Sequence, residues 1–167
     1  DEFVEHFSNA KRSLSRTEAD ELTYCMHIII RYEIEKDIFN GNIDLDNLPN
    51  IWNKKYQEYL GVSSTTYKEG ILQDMHWSDG SFGYFPSYLL GTIFDGVLLD
   101  VINEKVGDVD TILKNGKIEE ITKYLNKNIH YYGGTYNINE VCKRITGKDL
   151  DINPIINYFK NKYEKNE

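Results

Sequence analysis

The chain has 167 residues, 28% of them charged and 40% hydrophobic, with only 3 Pro and 12 Gly. This excludes collagen-like, Pro/Gly-rich and strongly disordered chains and suits a single globular domain. Lys and Arg number 19 against 27 Asp and Glu, a formal charge of −8, so phosphates and anionic headgroups are repelled overall and neither nucleic acid nor a membrane is expected as a partner. The two cysteines, Cys25 and Cys142, lie far apart. They predict neither a disulfide framework nor a Cys-based zinc site, and with no visible export signal the expected location is cytoplasmic.

In chain order, Phe3, Phe7, Ala10 and Leu14 recur at helical spacing from an opening Asp1. This pattern reads as an amphipathic helix entered part-way, in a chain cut from something longer. Ser15 and Thr17 are each followed three residues later by an acid, Glu18 or Asp20, which predicts a helix start and a helix running to about Asn40 before Gly41. Leu22, Met26, Ile29, Ile30, Ile34 and Ile38 supply its apolar stripe, and Arg16, Asp20, Tyr24, His27 and Arg31 form a second, polar one. A turn-rich connector leads to a short helix from Asn50 to Leu60, closed by Gly61, and then to an ordered loop over 61–70. Residues 73–85 lose the 3.6-residue period and crowd Trp77, Phe82, Tyr84 and Phe85 around Gly80 and Gly83, the pattern of a compact aromatic loop.

Pro86 suits the first turn of a helix reaching Glu104, which is apolar on nearly all sides and is expected to be the buried central helix. Asp95 and Asp100 interrupt its apolar run, which is too short to cross a bilayer. Asp108 or Asp110 caps a short turn to Leu113, and Ile118, Ile121, Leu125 and Ile129 mark a helix from Ile118 to Asn128. Asn137 precedes a helix that stops at Gly147, and Asn153-Pro154 begins the last one. The whole, residues 1–167, reads as one all-α unit.

The histidines His6, His27, His76 and His130 stand in no zinc-ligand spacing, and no phosphate loop or nucleophile elbow is present. Two partial sites remain. The polar stripe is either an ion-pair network on a half-buried helix or a clamp in which Arg16 or Arg31 holds a carboxylate with its planar fork. The segment Gln73-Asp74-Met75-His76-Trp77, followed by Tyr84 and Tyr88, is either a packed aromatic turn or a set of donors for a developing oxyanion.

Gly70-Ile71-Leu72-Gln73-Asp74-Met75-His76-Trp77 resembles the Gly-x-x-Gln-Asp-x-His-Trp motif of the carboxypeptidase Taq family of metallocarboxypeptidases at every fixed position. Arg16-Thr17-Glu18-Ala19-Asp20 resembles that family's Ile/Val-Arg-x-x-Ala-Asp motif, with Ser15 in place of the aliphatic residue. The likeness continues through His27 to Glu33, Glu58 to Gly61 and Gly83 to Pro86, and reaches the C-terminus more weakly. The family's HExxH, third metal ligand, His-Pro-Phe and Asp-x-Arg-x-Thr motifs are missing, and all of them precede the part matched here.

The resemblance therefore implies the C-terminal, substrate-side segment of a larger, mostly helical peptidase. Its zinc or cobalt would be bound outside these residues, so that this segment alone is inactive and binds no metal. It also implies peptide substrates, association with the rest of the same peptidase chain, and a homodimer. His76, Tyr88 and Tyr84 are the catalytic candidates, and Arg16, Arg31, Gln73 and Asp74 the substrate-binding ones. The rival reading is a non-enzymatic helical interaction domain that keeps the motif residues only as core and network.

Overall fold

Asp20, rather than Ser15 or Thr17, starts the first long helix. Its carboxylate accepts from the backbone N–H groups of Leu22 and Thr23 at 3.0 and 2.9 Å, satisfying donors that have no partner within the helix. The helix, α1, spans Glu21–Phe39, and the preceding Arg16–Glu18 is a single 3₁₀ turn. The acid three residues after Ser15 or Thr17 is thus correctly placed near a helix start, but the second of the two acids is itself the cap.

The computed structural model describes residues 9–164. Phe3 and Phe7 lie outside that range, and Ala10 and Leu14 are not helical. After α1 come α2 (Leu48–Leu60), α3 (Pro86–Lys105), α4 (Val109–Lys114), α5 (Ile118–Asn128), α6 (Ile138–Thr146) and α7 (Asn153–Tyr163). Among the described residues there is no strand, so the fold is all-α, and no helix is long and apolar enough to cross a membrane.

The chain divides into two compact units, Asp1–Leu90 and Gly91–Glu167. In the first, α1 packs against α2 around Ile30, Ile34, Trp52, Tyr56 and Leu60, with Leu14, Ile71 and Trp77 closing over them. Burial of each large apolar side chain contributes roughly 1.5–3 kcal/mol. Gly61, at φ 68°, ends α2 in the left-handed region and donates its N–H to Gln57, the closure expected from its position. In the second unit Val97 and Val101 of α3 meet Cys142 and Ile145 of α6. Asn137 and Glu140 form a reciprocal cap at the start of α6, as a capping box requires.

The helix with the most buried circumference is α1, not α3. On α3 the buried residues are Gly96, Val97, Val101 and Ile102, whereas Leu90 is 40% exposed. On α1 the polar residues Thr23, His27, Arg31 and Glu35 are buried along with Cys25, Ile28, Ile30 and Ile34. Hydropathy alone ranks α3 above α1, because it cannot register polar groups whose partners come from distant parts of the chain.

Candidate active-site segment

The polar stripe of α1 meets the 73–85 loop in the first unit. Arg31 is fully buried and donates from Nε to Asp74 Oδ2 at 2.6 Å, from Nη1 to the His27 carbonyl and the Tyr56 hydroxyl at 2.8 and 2.9 Å, and from Nη2 to Gln73 Oε1 at 3.2 Å. Arg16 donates from Nε to Asp74 Oδ1 at 2.9 Å and from Nη1 to the Tyr24 hydroxyl at 3.2 Å; its Nη2 lies 2.8 Å from the same Asp74 oxygen. One carboxylate therefore carries an arginine on each oxygen. Burial by itself would raise the pKa of Asp74, but Arg31 and Arg16 outweigh it and hold the group below the ordinary carboxylate range.

Gln73 completes this base. Its amide nitrogen donates to the Leu14 carbonyl at 2.6 Å and to the Glu69 carbonyl, while its oxygen accepts from Arg31. Three residues earlier, a Cβ on Gly70 would stand 2.5 Å from Ser64 Oγ and 3.2 Å from the Thr66 carbonyl. A larger residue there would have to displace the Ser64 hydroxyl and press on the Thr66 carbonyl, so the close turn against the 64–66 segment favours glycine.

His76 and Tyr88 pack against Phe85, which is 1% exposed. The Arg31 and Arg16 guanidinium carbons sit 5.4 and 5.9 Å from the Phe85 ring centre, and Arg16 lies 5.3 Å from the Tyr88 ring centre, both within cation–π range. The ring of His76 lies 4.4 Å from that of Phe85, and its Nε2 is 3.0 Å from the Tyr88 hydroxyl. Its Nδ1 is buried and without a partner among the described residues. Tyr84 packs on both His76 and Tyr88 at 5.7 and 5.4 Å and is 52% exposed. Arg16, His76, Tyr84 and Tyr88 thus form one contiguous cluster, supported from below by Asp74, Gln73 and Arg31.

His27 is drawn into the same network. Tyr56 accepts from Arg31, leaving its hydroxyl hydrogen to donate to His27 Nδ1 across 2.9 Å. Burial, followed by the charges of Arg31 and Arg16, pushes the imidazole down to about 4, so it is neutral near pH 7.

The chemistry-bearing residue missed in the sequence is Glu35. It continues the polar stripe four residues beyond Arg31 and accepts from Trp77 Nε1 and the Gly83 N–H at 2.7 and 3.2 Å. The signal was the same four-residue step that linked His27 to Arg31, followed one step further.

Among the described residues no group of three or more His, Cys, Asp and Glu is placed to hold a metal ion. The ring nitrogens of His27, His76 and His130 that have partners meet Tyr56, Tyr88 and Asn126 instead, so these residues do not fit a metal centre. Both cysteines are buried and free, and burial pushes the Cys25 thiol up to about 11, away from the range of a reactive thiolate.

This all-α chain belongs to a known group of peptidases: it is a member of the carboxypeptidase Taq (M32) metallopeptidase family, whose model matches residues 1–163. It is 44% identical over 163 residues to carboxypeptidase 1 of Bacillus subtilis, covering 98% of this chain and 32% of that protein. It is 34% identical over 158 residues to thermostable carboxypeptidase 1 of Pyrococcus furiosus, covering 95% of this chain and 32% of that protein. The solved structure of Trypanosoma cruzi metallocarboxypeptidase 1 superposes with a TM-score of 0.92 at 34% identity, over 97% of this chain and 34% of that one. The chain spans about a third of the length of these relatives.

Proposed function

We propose that the chain is the substrate-side segment of a metal-dependent carboxypeptidase that releases amino acids from peptide C-termini. The observation that carries this reading is the adjacency of Arg16 to the His76–Tyr88 pair. In a carboxypeptidase substrate, the terminal carboxylate and the scissile carbonyl belong to neighbouring residues, about 3.8 Å apart from Cα to Cα. A cation for the carboxylate and donors for the oxyanion must therefore lie side by side.

In this reading Arg16, whose side chain is 13% exposed, receives the carboxylate. Asp74, Gln73 and Arg31 hold its guanidinium and the loop at fixed positions. Arg31 has a side chain with no exposure, so it supports the substrate-binding group rather than meeting the substrate itself. His76 and Tyr88, with Tyr84 beside them, supply preorganised donors to the tetrahedral oxyanion. The metal, zinc or cobalt, supplies Lewis-acid chemistry from parts of the full-length enzyme outside this chain, and residues 1–167 form part of one catalytic domain there. The full-length enzyme is read as a cytoplasmic homodimer.

The test is a comparison of free and amidated peptides with the full-length protein. Release of C-terminal residues from the free peptide alone supports the reading, and equal cleavage of both overturns it. Tyr88→Phe deletes one hydroxyl and keeps the ring. It should lower kcat by about 10²–10³ with little change in KM, since the charge it meets exists only in the transition state. Near-normal kcat would remove Tyr88 from the mechanism and shift the question to Tyr84.

A further inference from the structure

Glu35 is 4% exposed on α1, and a carboxylate buried to that degree is costly unless its oxygens are satisfied. They are satisfied from two separate points of one loop. Oε1 accepts from the Trp77 indole at 2.7 Å and Oε2 from the Gly83 backbone N–H at 3.2 Å. Trp77 directly follows His76, and Gly83 directly precedes Tyr84. The carboxylate therefore holds the loop at the residues flanking both groups. Arg31, one turn earlier on α1, holds its beginning through Gln73 and Asp74.

The two contacts are not duplicated by the loop's own bonding. Ser81 N–H donates to the His76 carbonyl at 2.7 Å and Asp79 N–H to the Met75 carbonyl at 3.0 Å, which close turns within the loop without tying it to α1. Trp77 is further wedged between Trp52 and Phe85, with ring centres 5.9 and 6.1 Å away. A displaced indole would move its neighbour His76 against Phe85.

We propose that Glu35 is a positioning residue of the active site, acting through Trp77 and Gly83 to set the placement of His76 and Tyr84. The inference rests on the reading of His76 and its tyrosines as groups that act on substrate. Catalytic donors displaced by an ångström lose much of their effect, so the consequence is a loss of turnover rather than of substrate binding.

Glu35→Gln keeps the shape but turns an amide nitrogen toward one of the two N–H donors, breaking that contact. In the full-length protein it should lower kcat about tenfold or more with KM within about twofold. Peptides spanning residues 78–85 should exchange their amide hydrogens faster. In a His76→Ala background the same substitution should cost clearly less, because only Tyr84 is then left to position.

Unchanged kcat, or an equal loss in both backgrounds, overturns the proposal. If Glu35→Gln fails to fold, Trp77→Phe removes one of the two contacts while keeping an aromatic ring, and the same outcomes apply. Should the wild-type protein release no C-terminal residues, it is the functional reading that falls. Amide exchange then decides the role of Glu35 by itself: faster exchange of 78–85 in the variant supports it, and unchanged exchange overturns it.

Discussion

At the residue scale, the two arginines differ in their surroundings. Arg16 has both exposure and a neighbouring His–Tyr pair, whereas Arg31 is enclosed. Arg16→Lys retains the charge but loses the planar fork, so kcat/KM of the full-length protein should fall by one to two orders of magnitude, about 1.4–2.8 kcal/mol, with the melting temperature nearly unchanged. Unfolding of the variant with normal activity per folded molecule would instead place Arg16 in the structural network.

His27 gives a pH prediction. Its folded pKa is depressed to about 4 from an ordinary value near 6.5, so the unfolded chain binds the extra proton first as pH falls. Stability should decline from about pH 6.5 to pH 4, by roughly 3 kcal/mol in all. Asp74, also held below its ordinary value, adds a loss at still lower pH as it is protonated. Denaturant midpoints measured from pH 7 to 4 should show this slope, and His27→Gln should flatten it.

At the element scale, α3 carries two glycines with opposite demands. A Cβ on Gly96 would stand 2.6 Å from the Ile155 backbone nitrogen and 2.8 Å from its Cα, whereas one on Gly91 would meet nothing within 4 Å. Helix propensity favours alanine at both by about 1 kcal/mol. At Gly96 the clash is with backbone of α7, which cannot rotate away, so Gly96→Ala should destabilise the protein by about 1–3 kcal/mol. Gly91→Ala should stabilise it by about 0.5–1 kcal/mol. Chemical denaturation of the two variants checks both signs, and equal effects would mean that α3 and α7 can separate freely.

At the scale of the whole molecule, each of the two units has its own core, and every candidate site residue belongs to the first. That site gathers two arginines, a histidine and tyrosines, but no group of three or more metal-ligating side chains among the described residues. The chain should therefore take up less than one tightly bound zinc equivalent in equilibrium dialysis followed by metal analysis. One equivalent per chain would show that its histidines and acids assemble a centre of their own.

Helix positions were legible from local rules. Pro86, Ile118, Asn137 and Asn153 mark starts, and Gly61 and Gly147 mark ends, because caps and turn residues act within a few positions of themselves. The motif around His76 was legible for a similar reason: its residues are contiguous and their types are specific. Local spacing also put His27 and Arg31 on one face of α1, whereas Arg16, read as part of the same stripe, stands in the separate 3₁₀ turn before it.

It could not show that Asp74, 58 residues from Arg16 and 43 from Arg31, would accept from both, or that this pairing would let the polar face of α1 be buried. Nor could it assign Glu35, whose partners lie 42 and 48 residues away. Sequence by itself determined the helices, the all-α class and the motif-bearing loop, all consequences of short-range backbone and side-chain preference. Tertiary structure decided which charges are enclosed and which face outward, because the cost of burying a polar group depends on partners brought near only by folding.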